Sequence, residues 1–199
     1  MILVSRGICR AENLLYGEIR LGWISRTFLK NCWQMVHYAL LILDSVPGGS
    51  QRSIMKITTF FGEHRFLSNF FRAEFVWDGI VWPTSEHAYQ AAKTLDAKVR
   101  LEISRTPKPG DVKRLGKKVI LRTDWPTVKV DVMREIIRAK FEQNPELKQR
   151  LIDTGEAILE EGNTWNDCFW GISPPGSGQG RNELGKILME LRIEFGGGK

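Results

Sequence analysis

Glu86 and Lys93 lie seven residues apart in the stretch Trp82-Pro83-Thr84-Ser85-Glu86-His87-Ala88-Tyr89-Gln90-Ala91-Ala92-Lys93. On a helix that spacing puts a carboxylate and an amine on one face, with Tyr89 and Gln90 between them. Such a pair can move protons, and a lysine that sheds its proton can attack an electrophilic carbon. Two helical turns place the backbones roughly 10 Å apart, a gap that a lysine side chain can narrow. The same spacing also describes an ordinary solvated Glu-to-Lys face, and spacing alone leaves both readings open.

A second group of residues is Asn163-Thr164-Trp165-Asn166-Asp167-Cys168-Phe169-Trp170-Gly171, followed by Gly176-Ser177-Gly178-Gln179-Gly180-Arg181-Asn182. Glycines at the entrance to a helix let a ligand approach the backbone. The free N–H groups there, with Arg181, would make an anion site. The alternative is that Trp165 and Trp170 anchor the core and the glycines only turn the chain. Asn69, set between Phe66 and Phe70, is either a pocket residue or a turn former. Trp125, directly before Pro126, is either a helix staple or a stacking platform.

The secondary structure around these residues is read from periodicity and turn signals. Ile57–Phe61 reads as a strand and Arg65–Phe70 as a loop. Asp78-Gly79 marks a hairpin between Phe75–Trp77 and Ile80–Trp82. Pro83 and Thr84 start a helix predicted over Thr84–Leu95, whose small apolar face is Ala88, Ala91, Ala92 and Leu95. Further helices are predicted at Ala97–Arg105, Gly110–Val119, about 125–143, Pro145–Thr154 and Asn182–Phe195. Ala157–Glu161 reads as a strand, and a Trp/Gly-rich loop runs from Gly162 to Gly180. The fold class is therefore α+β, a single helix-rich domain around a few short antiparallel strands.

Composition narrows the function classes. The chain has 199 residues and a formal charge of +6, a mild bias toward anionic partners. Residues 1–54 carry six Lys/Arg against three Asp/Glu, whereas residues 55–199 carry 23 against 20, so any anion site in the body must be local. Cys9, Cys32 and Cys168 form no CxxC pair, and His37, His64 and His87 form no HxxxH pair. This pattern argues against a disulfide framework and a transition-metal site or cofactor, leaving carboxylate-held magnesium open, and fits a reducing, cytoplasmic compartment. The apolar run Val36–Leu43 is far below the ~20 residues needed to span a bilayer, so no membrane partner is expected. Pro47-Gly48-Gly49-Ser50 separates residues 1–54, read as an N-terminal extension outside the fold, from a catalytic domain over residues 55–199.

Several blocks occur in an order that resembles the NADAR (YbiA-like) family. They are Ser68-Asn69-Phe70, Trp82–His87, Lys93, Trp125, Lys140-Phe141, Leu151–Gly155, Trp170-Gly171, Gly180–Gly185 and Leu188-Met189-Glu190, spread from about Met55 to Arg192. The resemblance implies an N-glycosidase with no cofactor. Some members act on phosphorylated riboflavin-pathway intermediates, and others remove ADP-ribose from guanine in nucleic acid. It also implies active-site roles for Glu86, Asp167, Trp125 and Trp170. Asn69, Lys93, Gly171, Gly178, Gly180, Arg181 and Asn182 are further pocket residues on this reading, and the Ile172–Ser177 loop is expected to vary between members. Cleaving a ribose C1–N bond passes through an oxocarbenium-like state. Glu86 and Asp167 would supply negative charge, the tryptophans would stack a base, and Lys93 would bind phosphate or attack C1 of an opened ribose. Three functions are compatible with these residues: release of ADP-ribose from guanine, cleavage of a phosphorylated ribosylamino-pyrimidine, and non-catalytic binding of ADP-ribose or a nucleotide.

Overall fold

A computed structural model describes residues 54–196. All but the last residue of the expected extension, including Cys9, Cys32, His37 and the Val36–Leu43 run, therefore lies outside the described residues. In chain order the elements are β1 (Lys56–Ile57), a 3-10 helix (Gly62–Leu67), β2 (Phe75–Trp77), β3 (Ile80–Trp82) and α1 (Ser85–Ala91). They continue with α2 (Ala97–Arg105), α3 (Pro109–Leu115), α4 (Trp125–Glu142), α5 (Pro145–Ile152), β4 (Ile158–Leu159) and α6 (Glu183–Phe195). The class is α+β, as expected.

The local signals explain most boundaries. Asp78 and Gly79 both take positive φ, 50° and 72°, which is what a two-residue hairpin turn requires, and β2 pairs antiparallel with β3. Asp96 caps α2 by accepting from the N–H groups of Lys98 and Val99. Proline sits in the first turn of α3, α4 and α5. In α4 the residues Val132, Met133, Ile136, Ile137, Lys140 and Phe141 are buried, and Leu184, Ile187, Leu188 and Leu191 of α6 face the same core. Arg134–Glu190 and Arg138–Glu194 ion pairs, at 3.0 and 2.6 Å, tie the outer edges of these two helices.

Three expectations are corrected. The strand predicted over Ile57–Phe61 is only Lys56–Ile57, and it pairs parallel to β4, with Lys56 opposite Ile158 and Ile57 opposite Leu159. One of the two small sheets is therefore parallel. The loop predicted at Arg65–Phe70 begins inside the 3-10 helix. The third correction is that α1 ends at Ala91, short of Leu95, which is 72% exposed and takes no part in packing an apolar face.

Helix α1 departs from a surface helix in a more consequential way, since all seven of its residues are buried. It packs against α2, α3, α4 and β3, so both of its faces are covered. Thr84 closes its start: its Oγ1 accepts from the His87 N–H at 3.4 Å and lies 2.7 Å from His87 Nδ1. The other ring nitrogen of His87 is 2.8 Å from the carbonyl of Thr106 at the end of α2, so this histidine is a structural clamp.

Candidate active site

The polar stripe of α1 faces a cavity of about 220 Å³. Glu86, Tyr89, Gln90 and Lys93 form one wall. Asn69 and Phe70 come from the loop after the 3-10 helix, Lys113 from α3, and Met133 from α4. Glu161, Trp165, Asp167 and Trp170 close it from the long loop after β4. The solvated-face reading is thus excluded: Glu86 is only 5% exposed. Its backbone N–H donates to the Asn69 carbonyl at 3.0 Å, which locks the Asn69 loop to the start of α1.

Electrostatics gives the Glu86 and Lys93 pair its character. Burial raises the Glu86 carboxyl above its ordinary range, while a 2.8 Å hydrogen bond from Gln90 Nε2 and the charges of Lys113 and Lys93 oppose that rise. Burial also lowers the Lys93 amine, and attraction to Glu86 opposes that fall. Gln90, Lys113 and Lys93 thus favour the charged form of Glu86, while burial favours the neutral amine of Lys93, which is a nucleophile. Its Nζ lies 5.6 Å from the centre of the Tyr89 ring.

Asp167 is held by its neighbours. Its Oδ1 accepts from the N–H groups of Phe169 and Trp170 at 3.1 and 2.9 Å. The Asn163 amide grips its backbone on both sides, taking the Asp167 N–H and donating to the Asp167 carbonyl, each at 2.9 Å. Trp170 lines the cavity and packs edge-on against Tyr89, with ring centres 5.3 Å apart. Trp125 does not reach the lining. It is 7% exposed and packs behind Tyr89 at 5.2 Å, so it supports the wall from the second layer.

The expected anion site at the start of α6 is filled by the chain itself. The N–H groups of Arg181, Asn182, Glu183 and Leu184 donate to the carbonyls of Cys168, Gly171, Phe169 and Trp170. Arg181 pairs with Glu183 at 3.1 Å and lies over the Phe169 ring. Asn182 takes a left-handed conformation and spends its amide on the Glu161 N–H and the Leu159 carbonyl. Gly178 lies in an exposed part of the loop. Gly171 and Gly180 are sites of close backbone packing, where a Cβ would collide with the carbonyl oxygens of Glu161 and Gly171 respectively. None of Gly171, Gly178, Gly180, Arg181 and Asn182 lines the cavity; they build the loop that presents Asp167 and Trp170.

Two charged residues in the lining escaped sequence reasoning, Lys113 and Glu161. Glu161 follows Glu160 just beyond β4, inside the strand predicted over Ala157–Glu161, where alternation sends adjacent side chains to opposite faces, and that was the available signal. A larger chamber of about 440 Å³ adjoins the cavity, sharing Phe70, Lys113, Glu161 and Trp165 and adding Phe60, Phe61, Arg65, Ser68 and Gly162. Lys113 Nζ lies 5.8 Å from the Phe70 ring centre and 5.5 Å from that of Trp165. The described residues include no cluster of His, Cys, Asp and Glu arranged to hold a metal ion, and no helix long and apolar enough to cross a membrane.

Comparisons with known proteins show the family of this fold. The chain belongs to the NADAR family: the NADAR domain model matches residues 59–195. N-glycosidase YbiA of Escherichia coli is 47% identical over 131 residues, covering 65% of this chain and 80% of that protein. A riboflavin biosynthesis protein of Vibrio vulnificus is 41% identical over 134 residues, covering 66% of this chain and 36% of that protein. The NMR structure of E. coli YbiA superposes with a TM-score of 0.63 at 41% identity, covering 75% of this chain and 89% of that one.

Proposed function

We propose that this chain removes ADP-ribose from guanine bases of nucleic acid by hydrolysing the bond between ribose C1 and a guanine nitrogen. It is a hydrolase of N-glycosyl bonds, the activity for which its relatives YbiA and an N-glycosidase of Nostoc punctiforme are named. The substrate assignment rests on one observation: the Glu86–Lys93 cavity shares Phe70, Lys113, Glu161 and Trp165 with a second, larger chamber that has aromatic and cationic walls. The inner cavity falls below the ~300 Å³ at which small-molecule sites begin, so a substrate engaging Glu86 extends outward. Phe60, Phe61, Phe70 and Trp165 offer stacking surfaces for a second base. Arg65 and Lys113 offer positive charge to a diphosphate.

In the inner cavity, Glu86 and Asp167 provide the negative charge that an oxocarbenium-like C1 needs, and Trp170 flanks the departing base. Lys93 attacks C1 of the opened ribose, or its cation steadies phosphate. Burial favours the first role by pushing the amine toward its neutral form. We place this reaction in a reducing, cytoplasmic setting, with residues 55–199 as the catalytic part.

A second reading, hydrolysis of a phosphorylated ribosylamino-pyrimidine, draws on relatives in Vibrio vulnificus and maize named as riboflavin biosynthesis proteins. A non-catalytic reader would have no use for a lysine and a glutamate buried together. Purified protein incubated separately with an ADP-ribosylated guanine oligonucleotide and with the phosphorylated pyrimidine intermediate tests the choice. A kcat/KM at least about tenfold higher for the oligonucleotide is expected, since the outer chamber adds binding contacts. The reverse preference selects the second reading.

A further inference from the structure

Three carboxyl groups line the inner cavity, and their oxygens are not equally occupied. Glu86 Oε1 accepts from Gln90, and Asp167 Oδ1 accepts from two backbone N–H groups. Glu161 differs: its Oε2 is shut off from solvent and has no hydrogen-bond partner. The backbone that carries it is clamped. The Glu161 N–H donates to Asn182 Oδ1 at 3.1 Å, and its carbonyl accepts from the Ile172 N–H at 2.9 Å. Gly171 packs against the same carbonyl, leaving no room for a Cβ. The backbone is thus fixed where the side chain lines both the inner cavity and the outer chamber.

We infer that Glu161 is a catalytic acid of this site, donating its carboxyl proton to the departing base nitrogen. The inference rests on the N-glycosidase reading above and adds a residue to it. A buried oxygen with no partner is costly unless a ligand supplies one. Burial, reinforced by the charges of Asp167 and Glu86, pushes the Glu161 carboxyl up to about 8, while Lys113 and Lys140 pull the other way. It therefore carries a proton at neutral pH, as a general acid must.

The step balances. The C1–N bond breaks with both electrons going to the base nitrogen, which takes the Glu161 proton and leaves as neutral base. A bond from C1 to the Lys93 nitrogen or to a water oxygen replaces it. In the second case the proton shed by that water restores the Glu161 acid. In the first, water hydrolyses the Lys93–sugar bond and does the same, so one water is consumed in all.

The test is kcat against pH for the full chain and Glu161→Gln, with the ADP-ribosylated guanine oligonucleotide as substrate. The wild type is expected to lose activity as pH rises through about 8, where Glu161 gives up its proton. A Lys93 nucleophile would give the opposite limb, because its neutral form is the active one, whereas a Lys93 cation holding phosphate would give an alkaline limb that survives in Glu161→Gln. Glu161→Gln is expected to lower kcat by at least about 100-fold with KM little changed, and to abolish the alkaline limb. A kcat within about threefold of wild type, with that limb intact, overturns the proposal. Should the variant fail to fold, carbon-13 titration of the wild-type side-chain carboxyls decides. Ionisation of Glu161 well above its ordinary 4.5 is expected, and ionisation near 4.5 overturns the assignment. A wild type that releases no base from either substrate removes the reaction and this role together, an outcome plainly different from an active wild type whose Glu161→Gln variant is equally active.

Discussion

Glu86 lies inside helix α1 and Lys93 in the turn beyond its end, yet both line one cavity and each opposes the effect of burial on the other. The helix keeps the seven-residue spacing useful even though it stops two residues short of the lysine. The chemical consequence is a lysine pushed by burial toward its free-base form beside a carboxylate that burial disfavours and that Gln90, Lys113 and Lys93 support.

Lys93 separates two mechanisms by their products. If its amine attacks the opened ribose, borohydride added during turnover traps a covalent sugar adduct, and peptide mapping places that adduct on Lys93. Lys93→Arg then loses turnover, because a guanidinium stays protonated. Absence of an adduct, with Lys93→Arg keeping most of its activity, assigns the residue to phosphate binding instead.

Gly171→Ala tests whether the Asp167–Trp170 loop and Glu161 are positioned as one unit. The added Cβ collides with the Glu161 carbonyl, and thermal or urea unfolding is expected to show a loss of about 2–3 kcal/mol, with activity falling well beyond that of an equally destabilised surface variant. An unchanged midpoint would mean that the two segments move independently.

Stability should respond to pH in two opposed windows. Glu161 ionises at 4.5 ordinarily and at about 8 in the fold, so the native state holds the extra proton and stability falls as pH rises between those values. Lys140 is fully buried and donates to the carbonyls of Phe66 and Ser68, and burial lowers its amine to about 7. There the unfolded chain holds the extra proton, so stability rises with pH from about 7 toward 10.5. Glu161→Gln is expected to remove most of the slope in the first window, leaving the part that burial of Glu86 contributes, measured by denaturant midpoints across pH. An unflattened slope would contradict the burial of a protonated Glu161.

A chain beginning at Met55 is expected to fold cooperatively and to match the full chain in activity. This expectation rests on the turn-rich Pro47–Ser50 segment and on family blocks that begin only beyond it. Loss of a cooperative unfolding transition in the shortened chain would place residues before Met55 in the fold.

Much of the site was legible because it is local. The Glu86, Tyr89, Gln90 and Lys93 stripe comes from helical periodicity, and the Asp78-Gly79 hairpin from turn chemistry. The features that could not be read depend on distant partners. The β1–β4 pairing joins residues about a hundred positions apart, and two-residue strands leave almost no alternating pattern to read. The N–H groups at the start of α6 look free in sequence but are taken by carbonyls of the loop just before them. Lys113 reaches the cavity only because α3 packs on α1, and a lysine in a polar helix gives no local sign of that. Trp125 carried an ambiguity between staple and platform that only its packing behind Tyr89 could resolve.

The decisive experiment is the stoichiometry and rate of base release by the wild type and by Glu86→Gln. With the ADP-ribosylated guanine oligonucleotide, the wild type is expected to liberate one ADP-ribose for each guanine restored. Glu86→Gln should bind the oligonucleotide with similar affinity but lose at least about 100-fold in kcat, because the change keeps the shape and removes the charge that the developing cation needs. Glu86→Gln turning over at the wild-type rate would contradict a catalytic role for this carboxyl and the mechanism built on it.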